Sequence, residues 1–198
     1  MKITYILLPG LGDERAIFSW FYRMVGEWWS RDVVEVRIFK SHWSTSKSYA
    51  QKYNELVGEI KAERKKGRAV VLVGVSAGAS LAYLAFAQHA QEVQAFISLC
   101  GFTRLKPGDF KNPQVMKFSW YQAAAAAERA GAALGAEERS RILAIIPKTD
   151  NVINPQQQQI EGAKNVQLKM RGHLAVIMTT LLVRRRMIQR FATSKGSA

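Results

Sequence analysis

The residues best suited to chemistry in this sequence are Gly74-Val75-Ser76-Ala77-Gly78. A serine flanked by glycines at this spacing matches G-x-S-x-G, a sharp strand-to-helix turn that lifts one hydroxyl above a sheet edge. That hydroxyl would stand at the N-terminal end of the following helix, where the peptide dipoles favour developing negative charge. Such a group suits nucleophilic attack on a carbonyl, provided that a base takes its proton. The same five residues could instead open a tightly packed helix with no reactive role. The β-branched run Val70, Val71, Val73 and Val75 before them and the Ala/Leu-rich run after them favour the turn. Three histidines are available as a base: His42, His89 and His173. His89 falls late in the helix after Ser76, and His42 precedes the nucleophile in the chain. His173 follows a glycine at the start of the last helix.

The elements that must position these groups alternate. Lys2–Leu8, Val33–Phe39, Ala69–Val73, Val93–Leu99, Arg141–Ile146 and Val166–Met170 read as strands. Ala16–Ser30, Ser46–Lys66, Ala77–Ala90, Phe118–Ala130 and a closing helix Leu174–Phe191 read as helices, with short ones near Ala136–Arg139 and Pro155–Glu161. Six short strands separated by helices imply a three-layer α/β/α domain around a mostly parallel sheet. The near-continuous apolar runs Val70–Val73 and Ala95–Leu99 suit central strands covered on both faces. No linker interrupts residues 1–198, which are expected to form one domain. Residues 101–140 are the least regular stretch and the place for a small lid.

Three further segments fall just beyond the ends of these strands. The first is Leu8-Pro9-Gly10-Leu11-Gly12-Asp13, the second Asp150-Asn151-Val152-Ile153-Asn154-Pro155, and the third Arg171-Gly172-His173-Leu174. With the nucleophile turn and the order of elements, they make the sequence similar to a compact member of the α/β-hydrolase superfamily, with a minimal cap or none. The resemblance covers nearly the whole chain and does not reach a subfamily. It implies Ser76 as nucleophile, His173 as its base and Asp150 as the acid that orients the imidazole, in the order Ser, Asp, His. It also implies an oxyanion hole from the backbone N–H groups of Leu11 and Ala77. Asp109 is a rival acid ranked below Asp150, because it lies well beyond the end of its strand. A dinucleotide site is a weaker reading of the first loop, because G-x-G is present without the third glycine.

The implied reaction is hydrolysis of an ester-type acyl bond through an acyl-enzyme, with a small-molecule acyl substrate. Phe102, Phe118, Trp120 and Tyr121 are candidates to line an acyl pocket, and they could equally seal the core. A carboxylic ester is the default substrate. The net charge of +14 makes an anionic acyl thioester the alternative. A non-catalytic binding module that uses the basic surface is a further alternative. Nucleic-acid contact is not favoured, because the basic residues do not alternate with aromatic ones as in a stacking platform. Neither a metal nor a cofactor is expected, since one cysteine and three scattered histidines show no ligand spacing. Cys100, at the end of an apolar run, reads as a buried and inert thiol. The uncharged stretch from Ala69 to Gln91 resolves into strand, turn and helix rather than one membrane span, and Met1–Asp13 reads as a first strand rather than a signal peptide, so a cytoplasmic location is expected.

Overall fold

The computed structural model describes residues 2–30, 34–105 and 117–196. In chain order the elements are β1 (Ile3–Leu8), α1 (Ala16–Trp29), β2 (Val34–Ile38), α2 (Tyr49–Lys65), β3 (Ala69–Val75), α3 (Ala77–Gln88) and β4 (Ala95–Leu99). There follow α4 (Ser119–Ala132), α5 (Ala136–Ser140), β5 (Ile142–Thr149), a 3-10 turn at Pro155–Gln157, β6 (Lys164–Arg171), α6 (His173–Leu182) and α7 (Arg185–Ser194). The strands form one six-stranded sheet in the order β2-β1-β3-β4-β5-β6, and every pair is parallel.

Parallel strands need helical crossovers, and these cover both faces of the sheet. Along β1, Ile6 and Leu8 join a core cluster with Leu56 of α2, Tyr83 and Phe86 of α3 and Ala127 of α4. Tyr5 and Leu7 join the opposite cluster, with Val25 and Trp29 of α1, Val176 and Leu181 of α6 and Phe191 of α7. Every residue of β3 and β4 is buried, which accounts for their uninterrupted apolar sequences.

Local chemistry moves several boundaries from their expected places. A capping box starts α2 at Tyr49: Ser48 Oγ accepts from the Gln51 N–H at 3.2 Å, and Gln51 Oε1 accepts from the Ser48 N–H at 2.9 Å. β5 runs past Ile146 to Thr149, and its register slips between Pro147 and Thr149, where proline has no N–H for the ladder. The short helix expected at Pro155–Glu161 is a single 3-10 turn.

The closing helix expected over Leu174–Phe191 is two helices. The chain breaks at Val183–Arg184, whose N–H groups both return to the Thr179 carbonyl. An unbroken helix would carry Arg184 seven, four and three residues after Ile177, Thr180 and Leu181, on the face they bury. An unpaired guanidinium there would cost far more than the break does.

At the N-terminal edge of the sheet, the buried Glu63 carboxylate accepts from Thr4 Oγ1 (2.9 Å), Lys66 Nζ (2.6 Å) and Arg68 (2.8 Å). Burial opposes its charge. The bonds from Lys66, Arg68 and Thr4 and the nearby Arg37 outweigh it and hold the carboxyl down to about 2.

Candidate active site

Ser76 joins β3 to α3 with φ 52° and ψ −122°, a conformation that L-residues adopt only where the surroundings impose it. Those surroundings are backbone on both sides. A Cβ on Gly74 would meet the Ala79 Cα, one on Gly78 would meet the carbonyl oxygens of Leu8 and Pro9, and one on Gly10 would lie 2.9 Å from the Ser76 Cβ. The spacing G-x-S-x-G is therefore steric: it lets β3, the start of α3 and the loop after β1 converge on the serine. The Ser76 N–H donates to the Leu99 carbonyl at 2.9 Å, and the Ser76 carbonyl accepts from Phe102 at 3.3 Å.

Asp150 directly follows β5, and its side chain is buried. Oδ1 accepts from the N–H groups of Val152 (2.7 Å) and Ile153 (3.2 Å). Oδ2 accepts from Gln158 Nε2 (2.7 Å) and pairs with His173 Nδ1 (2.7 Å). Burial alone would raise the carboxyl pKa. The bonds from His173, Val152 and Ile153 prevail and lower it, so the group is an anion and Nδ1 carries the proton that joins them. Nε2 is buried and without a hydrogen-bond partner. His173 opens α6 after Gly172, whose φ of 91° turns the chain out of β6.

The serine and the pair are linked through β4. Cys100 follows Leu99, the acceptor for Ser76, and its Sγ lies 3.7 Å from the His173 carbonyl. Among the described residues, Cys100, Asp150 and His173 bring potential metal donors within 4.8 Å of one another. Burial and the adjacent Asp150 charge push the Cys100 thiol pKa well up, so it stays protonated, and Nδ1 is engaged by Asp150. This chemistry fits a hydrogen-bonded pair beside a neutral thiol, not a metal-ligand set.

A cavity of about 300 Å³ adjoins Ser76, lined by Leu11, Ala77, Phe102, Trp120, Val152, Ile153 and Gln157. Phe102 and Trp120 meet edge-to-face at 5.9 Å, and the Phe102 carbonyl accepts from the buried Ser80 hydroxyl at 2.5 Å. Phe118, stacked on Trp120 at 6.5 Å, lies instead along an adjoining groove with Leu11, Trp43 and Trp120. Tyr121 packs edge-on against Trp120 and is not among the residues lining either space. Asp109 lies outside the described residues. His89 is at the far end of α3, bonded to Tyr53 Oη (2.9 Å) and Glu92 (3.0 Å). His42 lies in the loop after β2, where its N–H donates to Asp13 at 2.9 Å.

That loop braces the loop carrying Leu11. Trp43 Nε1 donates to the Pro9 carbonyl (3.2 Å), and the Ser44 N–H donates to Glu14 (2.9 Å). Lys52, itself buried, holds the carbonyls of Ser41 (2.8 Å) and His42 (2.6 Å). None of these braces, nor Gln158, was singled out from sequence. They are long-range contacts, and the only local signal is that tryptophan and lysine are rarely buried without a partner.

No family model matches the chain, and no curated protein matches its sequence. Solved structures do match over nearly its full length. One of the metagenome-derived lipolytic enzymes LipS and LipT superposes with a TM-score of 0.64 at 13% identity, covering 100% of this chain and 94% of that one. Human thioesterase 2 gives 0.62 at 11% identity, covering 100% and 99%. An α/β-hydrolase enzyme from the sediment metagenome of the Mar Chica lagoon, Morocco, gives 0.58 at 17% identity, covering 99% and 93%. The chain has the α/β-hydrolase fold. Among the described residues no helix is long and apolar enough to cross a membrane.

Proposed function

We propose that the protein is a serine hydrolase that cleaves ester-type acyl bonds, with Ser76 as nucleophile, His173 as base and Asp150 as the orienting acid. The observation that carries this reading is the Asp150–His173 pair. It fixes the imidazole with Nδ1 protonated and Nε2 buried and unpartnered, on the sheet edge where Ser76 is held in its strained turn. In the reaction Nε2 takes the Ser76 proton as Oγ attacks the carbonyl. The tetrahedral oxyanion is stabilised by the N–H groups of Leu11 and Ala77, the leaving group receives the proton from His173, and water then releases the acyl-enzyme by the same route. Leu11 and Ala77 both line the Ser76 cavity, which supports their role.

Phe102 and Trp120 make this cavity an acyl pocket. Its volume suits a short or medium acyl chain, so a carboxylic ester is the proposed substrate. A thioester is a second reading, favoured by the +14 charge and by the likeness to human thioesterase 2. Labelling with a fluorophosphonate probe tests the nucleophile. The wild type is expected to label, and Ser76→Ala to fold with an unchanged melting temperature and neither label nor turn over ester, a loss on the order of 10⁶ in kcat. Equal labelling of the two proteins would overturn the assignment. Acyl esters compared with acyl-CoA thioesters of matched chain length would then separate the two substrate classes.

A further inference from the structure

The helices α1 and α6 cover the same face of the sheet with Phe21, Val25 and Trp29 and with Val176, Ile177 and Leu181. Their outer surfaces should then be polar. Instead, Ile17, Trp20 and Trp28 of α1 and Leu174 and Met178 of α6 stand in water, and Val183, just after α6, is 74% exposed. The two helices are joined. Trp29 Nε1 donates to the Leu181 carbonyl at 2.8 Å. Arg185 donates to the Trp28 carbonyl at 2.8 Å, with its guanidinium 5.2 Å from the Trp28 ring centre. Trp28, Val183 and Arg184–Arg186 therefore form one continuous patch. The exposed side chains of Arg184, Arg186 and Arg190 have no ion-pair partner among the described residues. Arg186 and Arg190 line a shallow groove along α7 with Gln189, Thr193 and Ser194.

Unpaired arginines beside exposed indoles and aliphatic chains have complementary needs. The guanidinium groups seek anions, and the apolar groups seek to leave water. A nucleic acid would satisfy the arginines and give the indoles bases to stack on, but it offers nothing to Ile17, Met178, Leu174 or Val183. The boundary layer of an anionic bilayer satisfies both, with phosphate and carboxylate groups at the level of the arginines and acyl chains just below. We propose that the α1–α6–α7 face is a docking surface for anionic phospholipid bilayers. Leu174 adjoins His173, so this face reaches from the arginines to the edge of the sheet that carries Ser76.

The test is co-sedimentation with phosphatidylcholine vesicles, with and without roughly a third phosphatidylserine. The wild type is expected to bind the phosphatidylserine vesicles at least tenfold more tightly and to be released by high salt. The double variant Arg184→Gln/Arg186→Gln should lose at least tenfold, since each arginine near an anionic surface contributes roughly fivefold. The uncharged variant Trp20→Ser/Val183→Ser should also lose severalfold. All these side chains are exposed, so the variants should melt with the wild type and keep its activity on a soluble ester. Ser76→Ala should bind vesicles like the wild type, so this result stands or falls apart from the hydrolase reading. Absence of binding, or equal binding to both vesicle types, would overturn the proposal. So would a loss confined to the arginine variant together with salt-sensitive binding of DNA or RNA, which would make the face a nucleic-acid surface.

Discussion

Asp150→Asn is the sharpest perturbation of the proposed site. The carboxylate accepts two bonds on each oxygen, and the two sides are not equivalent. Oδ1 faces the N–H groups of Val152 and Ile153, so the asparagine must keep its oxygen there. Its NH₂ then falls on the Oδ2 side, opposite two donors, Gln158 Nε2 and His173 Nδ1, both at 2.7 Å. Gln158 can turn its amide only by giving up the bond to the Ile153 carbonyl at 2.8 Å. The imidazole can respond by moving its proton to Nε2, and it then has no lone pair for the Ser76 proton. Loss of the correct tautomer costs about 10⁴ in kcat, which at ~1.36 kcal/mol per tenfold is about 5.5 kcal/mol of transition-state stabilisation.

The accompanying loss of charge-assisted bonds should be about 1.5–3 kcal/mol in stability, a fall of several degrees in Tm at this chain length. Initial rates on a chromogenic acyl ester and thermal melts measure the two effects separately. A folded Asp150→Asn protein with kcat/KM within about tenfold of wild type would refute the tautomer argument and the role given to His173. The same carboxylate sets an acid limit. Its native pKa lies below the unfolded value of about 3.9, so its stabilisation is complete above that value and fades as pH falls through the lowered native one.

Other outcomes follow from the same contacts. Gly78→Ala drives a methyl group into the Leu8 and Pro9 carbonyls, which are backbone and cannot swing away. It should cost about 3 kcal/mol or more by chemical denaturation. Trp43→Phe leaves the Pro9 carbonyl without its side-chain donor. It should cost about 1–2 kcal/mol and lower kcat more than it raises KM, because the loosened loop carries the Leu11 N–H. Glu63→Gln should destabilise by about 2–3 kcal/mol at neutral pH. With a native pKa of about 2, the Glu63 contribution is complete above about pH 4.5 and is lost as pH falls towards 2, so urea melts of wild type and variant should converge in acid.

The sheet was legible because its signals are local. Runs such as Val70-Val71-Leu72-Val73 and Phe96-Ile97-Ser98-Leu99 are apolar on both faces, as only a doubly covered strand requires. The positions of Ser76, Asp150 and His173 were legible because each sits just past a strand end, and parallel strands carry all such ends to one edge. Less visible features depend on partners distant in sequence. Four consecutive glutamines, Gln156–Gln159, look alike, yet it is Gln158 that reaches Asp150. Val152 and Ile153 entered only as part of a loop pattern, whereas their backbone N–H groups hold the carboxylate and their side chains line the cavity. The break at Arg184 was missed because the apolar residues on either side keep the same helical phase. The charge that falls on the buried face is the only clue.

The strand order carries a further consequence for biosynthesis. β1 lies between β2 and β3, with Ile3 opposite Ala69, and β3 meets β4 only after α3 has been made. Tyr5-Ile6-Leu7-Leu8 is thus made before either of the strands it pairs with, apolar on both sides, and β3 comes only after a second crossover. No hairpin can shelter it, because every pairing in this sheet bridges a crossover. Such non-local pairing makes folding slow, and one side of β1 stays without its partner strand until Ala69–Val75 has been made. The parallel arrangement that gathers the strand ends at one edge therefore also leaves an apolar strand half-paired while the chain between β1 and β3 is made.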